Sequence, residues 1–232
     1  GGTLIANKRS TRSIISNDIG SVKNLNNTFD KSKKFSFDLM REIYSMEEFI
    51  DISDANVNKV STVITYPWET TDITYSKEEL EMRDKWQSTL MPSGGIVSAR
   101  ADNEHWLTFG TEDVVPVLYG NYPILMTGGN SEAALRIGEL LPNKESETKT
   151  INWSQIPSGY DLSVRMSGLV WPEASQRIAN SAYLTREKIG KGQIILFSGE
   201  PNFRGSALGT NRLWLNAVVY GSGLGTNSLV TP

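Results

Sequence analysis

The feature that most constrains the fold is a run of apolar residues near the carboxyl end of the chain. Residues 194–197 read Ile-Ile-Leu-Phe, and they follow Gln193 and a turn at 189–192 that carries two glycines. A strand without a polar face cannot lie at the surface, and the stretch 181–187 before the turn completes a typical β-hairpin. The sequence therefore predicts that residues 193–197 form a strand inside a sheet, with neighbours on both sides.

Other segments predict an α/β domain around this hairpin. A short apolar stretch at 4–6 reads as a buried strand, and β-type patterns recur at 95–99, 114–118, 133–138 and 167–170. Ser76 and Glu79 form a predicted capping box for a helix at 76–87. Thr210 is the expected N-cap of a final helix at 211–220, which should be well buried because few of its residues are polar.

The domain organisation follows from changes in composition. Residues 1–221 are predicted to form one α/β domain, with a polar excursion at 17–84 that contains a helix at 35–49 and a strand at 60–66. Residues 222–232 are rich in Gly, Ser, Asn and Thr and are expected to be a flexible tail. Because a buried parallel strand needs cover on both flanks, the strand at 4–6 predicts further β-α units upstream of Gly1.

The composition narrows the classes of function. The chain carries 23 Lys and Arg against 26 Asp and Glu, and it has no apolar run of membrane-spanning length, so neither nucleic-acid binding nor membrane insertion is expected. It contains no cysteine and one histidine. Zinc enzymes generally need several imidazoles, and hydrolases of the serine or cysteine type need one as a base. We therefore expect no catalytic residue, metal site or cofactor within this chain.

Two segments contain candidate ligand-binding residues. Glu200, Asn202 and Arg204 follow the predicted central strand at its carboxyl end, where ligands bind in open α/β sheets. The alternative is that Arg204 pairs with Glu200 or caps a carbonyl group. His105 lies among the acidic residues of segment 102–106, which could form an acid/base pair or half of a metal site. Its alternative role is that of a loop histidine bonded to the backbone.

Two further hypotheses use other side chains. The six tryptophans could form a sugar-stacking surface, but they are dispersed along the sequence and core burial is the default for such residues. An autonomous hydrolase would need Ser198 to be exposed and within hydrogen-bonding reach of His105.

Residues 190–205 (GKGQIILFSGEPNFRG) and 209–217 (GTNRLWLNA) resemble the end of the class I glutamine-amidotransferase-like domain that closes many bacterial zinc carboxypeptidase-family proteins. Residues 1–6, and 92–100 leading to 105–110, support the resemblance in the same order. It implies a flavodoxin-like or amidotransferase-like, mostly parallel sheet flanked by helices, with a carboxyl-terminal hairpin and a final helix. Amidotransferases place a nucleophilic cysteine on an elbow after a strand, where this chain has Asn7-Lys8-Arg9.

The resemblance implies a non-catalytic accessory domain of an exported zinc carboxypeptidase-like protein, in the periplasm, in the cell envelope or secreted. Its role would be binding, stability or assembly. The implied partner is an upstream peptidase domain that carries the zinc, and a homo-oligomer is possible. The alternative function is a carbohydrate-binding or trimerisation module associated with a glycosidase.

Overall fold

The computed structural model describes residues 1–28, 76–142, 160–205 and 207–224. Within these ranges the strands are β1 (Thr3–Asn7), β2 (Lys23–Asn24), β3 (Gly95–Ala101), β4 (Val114–Tyr119), β5 (Leu125–Met126), β6 (Ser131–Ile137), β7 (Glu139–Pro142), β8 (Tyr160–Ser163), β9 (Arg165–Ser167), β10 (Ala182–Ile189) and β11 (Gly192–Phe197). The α-helices are α1 (Lys8–Ser16), α2 (Lys77–Ser88), α3 (Pro172–Ile178) and α4 (Leu208–Tyr220).

One sheet contains most of the strands, in the order β1-β11-β10-β6-β3-β4. Strand β5 pairs with β10 and β2, β9 pairs with β3, and β7 and β8 form a separate two-stranded sheet. Strand β11 lies between β1 and β10, so the predicted interior position of residues 193–197 is confirmed. The predicted hairpin is confirmed as well, because β10 and β11 pair antiparallel through Ile189 and Gly192.

The predicted α/β class is confirmed, but the parallel part of the sheet is smaller than expected. Strands β1 and β11 are parallel, whereas the pairs β11–β10, β10–β6, β6–β3 and β3–β4 are antiparallel. The sheet is therefore mixed. A hydrophobic pattern indicates that a strand is buried but does not indicate its direction. Only the pair β10–β11 is joined by a two-residue turn, which requires antiparallel strands.

Strand β1 pairs with β11 in the predicted way, with Leu4 opposite Ile194 and Ala6 opposite Leu196. Its expected interior position is not found, because β1 lies at one end of the strand order among the described residues. The side chain of Leu4 is accordingly exposed. The strand predicted at 167–170 is also displaced, since β9 ends at Ser167.

Both faces of the sheet are covered. Ile194 and Leu196 belong to a core cluster with Ile15 of α1, whereas Ile195 and Phe197 belong to a larger cluster with Leu213 of α4. Alternate residues of a strand face opposite sides of a sheet, so α1 and α4 lie on opposite faces. The ring of Phe197 lies 5.6 Å from that of Trp214, which joins β11 to α4.

The helix predictions have mixed outcomes. The capping box of α2 is confirmed, because the Ser76 hydroxyl accepts from the Glu79 amide and the Glu79 carboxylate accepts from the Ser76 amide. Thr210 is not an N-cap: α4 begins at Leu208, and the Thr210 hydroxyl donates to the Pro201 carbonyl.

The expected burial of the last helix was wrong for one of its faces, where Leu215, Val218 and Val219 are each more than half exposed.

Several predictions lie outside the described residues. They include the helix at 35–49, the strand at 60–66, Trp68, Trp153 and most of the tail. The predicted division into a domain at 1–221 and a tail stays a prediction. No helix in the described part of the chain has the length and apolarity needed to cross a membrane.

Candidate functional site

The site begins where the parallel strands β1 and β11 end. Asn7 is opposite Phe197 in the register, so the residues that follow the two strands emerge at the same edge of the sheet. Lys8 opens helix α1 with a φ of 46°, a left-handed value that is uncommon for a residue other than glycine. The Thr11 hydroxyl donates to the Phe197 carbonyl over 2.8 Å and fixes α1 to the end of β11. The elbow between β1 and α1 therefore places Lys8 beside the loop after β11.

Lys8 meets a carboxylate and two aromatic rings there. Its ammonium donates to Glu200 in an ion pair and lies 5.6 Å from the centre of the Tyr122 ring and 5.9 Å from that of Phe203. About a third of each charged side chain is exposed, so the pair lies at the surface. The hydrogen bond to Glu200 raises the pKa of Lys8, and burial opposes this only in part. The lysine is therefore a protonated cation at neutral pH.

The loop that carries Tyr122 is attached to the end of β11. The buried Ser198 hydroxyl donates to the Pro123 carbonyl over 2.7 Å, and the Tyr122 amide donates to the Gly120 carbonyl over 2.8 Å. The Tyr122 ring also contacts Tyr119, with 5.6 Å between ring centres. These contacts hold Tyr122 beside Lys8.

Tyr183 lies under this arrangement. It is fully buried in β10, and a side-chain carbon at Gly199 would come within 3.1 Å of its ring and 2.9 Å of that of Tyr122. Among the described residues its hydroxyl has no hydrogen-bond partner. Burial raises the pKa of Tyr183 strongly, and the nearby Tyr122, Tyr119 and Glu200 raise it further. The site thus has an unused donor beneath Gly199 and Tyr122.

Two adjoining cavities form a groove beside α1. One has a volume of 280 Å³ and is lined by Lys8, Arg9, Arg12, Asn121, Tyr122 and Pro123. The other has a volume of 350 Å³; it shares Arg12 and residues 121–123 with the first and extends to Asn26, Asn27 and Arg177. We use the term α1 groove for these two cavities together.

Of the three ligand-binding candidates predicted in the loop after β11, one belongs to this site. Glu200 contacts Lys8, whereas Asn202 is exposed and its carbonyl accepts from the Gly205 amide. Arg204 is exposed as well, and its guanidinium lies 5.0 Å from the ring centre of Phe203. The alternative pairing of Arg204 with Glu200 was therefore wrong, because the ion-pair partner of Glu200 is Lys8.

His105 lies elsewhere, in the loop between β3 and β4. Its Nδ1 accepts from the Leu107 amide over 3.1 Å, and its Nε2 lies 3.4 Å from Glu132. Burial lowers the pKa of His105. The reading of His105 as a loop histidine bonded to the backbone is the one that the geometry favours. Ser198 is buried and donates to Pro123, which contradicts the hypothesis of an exposed serine paired with His105.

The described tryptophans divide between core and surface. Trp106 and Trp214 pack against the larger core cluster, whereas Trp86 and Trp171 are nearly half exposed. The expectation that the tryptophans are buried in the core is therefore wrong for Trp86 and Trp171.

Sequence analysis missed Lys8, Tyr122 and Tyr183 as site residues. Lys8 has a signal in the sequence, because it follows the first predicted strand at the turn where amidotransferases place a cysteine. Tyr122 and Tyr183 had none, since a tyrosine in a loop or a strand is unremarkable until its neighbours are known.

No protein-family model, curated protein or solved structure matches this chain. Among the described residues there is also no cluster of three or more side chains of the metal-binding types His, Cys, Asp and Glu.

Proposed function

We propose that this chain is a non-catalytic binding domain and that the α1 groove is its ligand site. The observation that carries the proposal is the residue at the elbow. Where an amidotransferase has its nucleophile, this chain has Lys8, ion-paired with Glu200. Following the resemblance, the domain would serve as an accessory part of an exported zinc carboxypeptidase-like protein.

The charge state of the elbow residue supports binding over catalysis. A lysine acts as a nucleophile when its pKa is lowered, because only the neutral amine attacks. Glu200 raises the pKa of Lys8 instead. The pKa of Tyr183 is raised as well, which makes this phenol a poor base near neutral pH. These side chains are suited to donating hydrogen bonds and attracting negative charge.

The test is a search for hydrolysis by the whole chain. Release of ammonia from glutamine and cleavage of a chromogenic peptide and an ester are measured for the natural protein and for Lys8→Met, with Lys191→Met as a control in the exposed hairpin turn. We expect rates equal to buffer for all three proteins. A rate that the natural protein and Lys191→Met share and that Lys8→Met lacks would show catalysis at the elbow.

The proposed partner is an upstream peptidase domain, and the gene tests it. The reading frame upstream of the codon for Gly1 is expected to encode a His-x-x-Glu motif and a distant histidine as zinc ligands, preceded by an export signal. A glycosidase domain in that place would instead favour the alternative, a carbohydrate-binding or trimerisation module.

A further inference from the structure

His105 is bonded to the backbone in a way that only its neutral form allows. It is the N-cap of a short 3₁₀ turn, Trp106–Thr108, and its Nδ1 accepts from the Leu107 amide over 3.1 Å. A backbone N–H is always a donor, so Nδ1 carries no hydrogen and Nε2 carries the hydrogen of the neutral ring. This Nε2 lies 3.4 Å from the Glu132 carboxylate, which can accept it.

Protonation of the ring removes the bond to Leu107. The imidazolium has a hydrogen on both nitrogens and no acceptor left. Its Nδ1–H and the Leu107 N–H would then be two donors directed at each other across the same 3.1 Å. Rotation of the ring is hindered, because the side chain is only 9% exposed and stacks on Trp106, with 5.7 Å between ring centres. The turn therefore has to change its conformation when His105 takes up a proton.

The turn is attached to helix α4. The side-chain nitrogen of Asn216 donates to the carbonyls of Leu107 and Phe109, over 2.9 Å in both cases. Arg212 Nε donates to the Phe109 carbonyl over 3.1 Å, and the Leu107 side chain is fully buried in the larger core cluster. These contacts hold segment 105–109 against α4, so a change in the turn reaches the helix directly.

The base of the loop is held by the sheet through bonds that do not involve the histidine. The Asp102 amide donates to the Ala134 carbonyl of β6 over 3.0 Å, and the Ala101 amide donates to the Asp113 carbonyl over 2.8 Å. Segment 105–109 can thus loosen from α4 while the strands stay paired.

The charged groups around the ring determine when it is protonated. Glu132 of β6 and Asp102 attract the proton, whereas Arg186 of β10, which pairs with Glu132 over 3.2 Å, repels it. Arg212 is the only charged residue of α4. Burial lowers the pKa of His105, the two carboxylates oppose this, and Arg186 adds to it. The ring is therefore neutral at pH 7 and takes up its proton below pH 6.5, the ordinary pKa of histidine.

We propose that His105 is a pH-dependent latch on segment 105–109. When neutral, it caps the turn and the segment stays bonded to α4. When protonated, it releases the Leu107 amide and the segment loosens from the helix, while the sheet stays intact. This inference is independent of the α1 groove and of the function proposed for it.

The first test locates the hydrogen on the ring. His105 is the only histidine of the chain, so the imidazole nitrogen resonances of the ¹⁵N-labelled protein belong to one residue. We expect the Nε2–H tautomer at pH 7.5 and a titration to the imidazolium below pH 6.5. A hydrogen on Nδ1 at pH 7.5, or a ring that stays neutral until the whole chain unfolds, would overturn the proposal.

The second test follows the Leu107 amide. Its exchange rate is measured by NMR between pH 7.5 and 4.5 and divided by the rate of an unfolded peptide at the same pH. The protection of Leu107 should fall about tenfold or more as His105 titrates, because a buried donor that loses its partner changes an equilibrium by about that factor. The amides of β11 should keep their protection. Constant protection of Leu107 would contradict the latch, and so would a simultaneous loss in β11, which would indicate global unfolding.

Two variants connect the release to the histidine. His105→Asn keeps an acceptor and does not titrate, so Leu107 should stay protected over the whole pH range. Glu132→Gln removes a carboxylate that favours the imidazolium, so the release should move to lower pH. Glu78→Gln, the same exchange at an exposed position on α2, should leave it in place. A release in His105→Asn at the natural pH, or an unmoved midpoint in Glu132→Gln, would show that another group is responsible.

Discussion

At the scale of single residues, the site depends on Lys8, whose backbone has a positive φ that residues with a side chain rarely adopt. A residue other than glycine with positive φ costs about 1–3 kcal/mol, and it persists where the surrounding structure holds it. Lys8 is held on both sides, because β1 is paired with β11 and Thr11 fixes the helix to Phe197. The ion pair with Glu200 adds little stability by itself, since both partners are partly exposed. The position of Lys8 is therefore set by the backbone around it.

His105 gives a prediction about pH at the same scale. Burial lowers the pKa of His105, Glu132 and Asp102 oppose this, and Arg186 adds to it. The unfolded chain therefore takes up the proton first, near pH 6.5. The contribution of neutral His105 to stability is present above that pH and is lost as the pH falls through the folded pKa.

The variant His105→Asn removes this titration and keeps an acceptor for the Leu107 amide. The free energy of unfolding of both proteins is measured by urea unfolding at pH 7.5, 6.5 and 5.5. The natural chain should lose more free energy of unfolding than the variant on going from pH 7.5 to 5.5. The prediction is wrong if the two losses are equal.

At the scale of elements, short sequence motifs predicted the features that depend only on neighbouring residues, a helix cap and a hairpin. The capping box at Ser76 and Glu79 needs residues three apart, and the hairpin needs a turn between adjacent strands; the structure contains both. The last helix was predicted to exist, but its burial was misjudged. Leu213 and Leu215 look alike in the sequence, and only the position of the sheet decides that Leu213 is buried and Leu215 is 53% exposed.

These two leucines of α4 provide a matched pair of substitutions. Leu213→Ala should lower the free energy of unfolding by about 2–4 kcal/mol, because it opens a cavity beneath the helix. Leu215→Ala should lower it by less than about 1 kcal/mol, since the side chain is half in water. Both are measured by urea unfolding. Equal losses would mean that the Leu215 face is covered in solution, and light scattering would then report whether a second copy covers it.

At the scale of the whole molecule, the sequence could not predict contacts between its two ends. Lys8 and Glu200 are 192 residues apart, and they meet only because β1 and β11 are parallel and end at the same edge. The antiparallel pairing of β6 with β10 and with β3, and of β3 with β4, was missed for a related reason. Strand direction depends on how connections cross the molecule, which hydrophobic patterns do not encode.

Gln193 links the two ends of the chain through hydrogen bonds. Its side chain is buried, and the two N–H groups of its amide are shared among three acceptors, which are Thr3 Oγ1 and the carbonyls of Gly221 and Leu224 after α4. Its carbonyl accepts from Arg186 Nε over 3.0 Å. One polar group thus connects β1, β10, β11 and the segment after the last helix.

The variant Gln193→Leu keeps the size of the side chain and removes all of these bonds. It removes the Gln193 donor from the Gly221 and Leu224 carbonyls and the acceptor of Arg186 Nε, so the free energy of unfolding should fall by about 2–4 kcal/mol. Thr3→Val is the graded control: it removes the bond to Gln193 and one of the two to Gly221 and should lower the free energy by about 1 kcal/mol. Both are measured by urea unfolding followed by tryptophan fluorescence, with amide exchange of β1 as a second readout. A Gln193→Leu chain as stable as the natural one, with β1 equally protected, would show that apolar packing alone holds the two ends together.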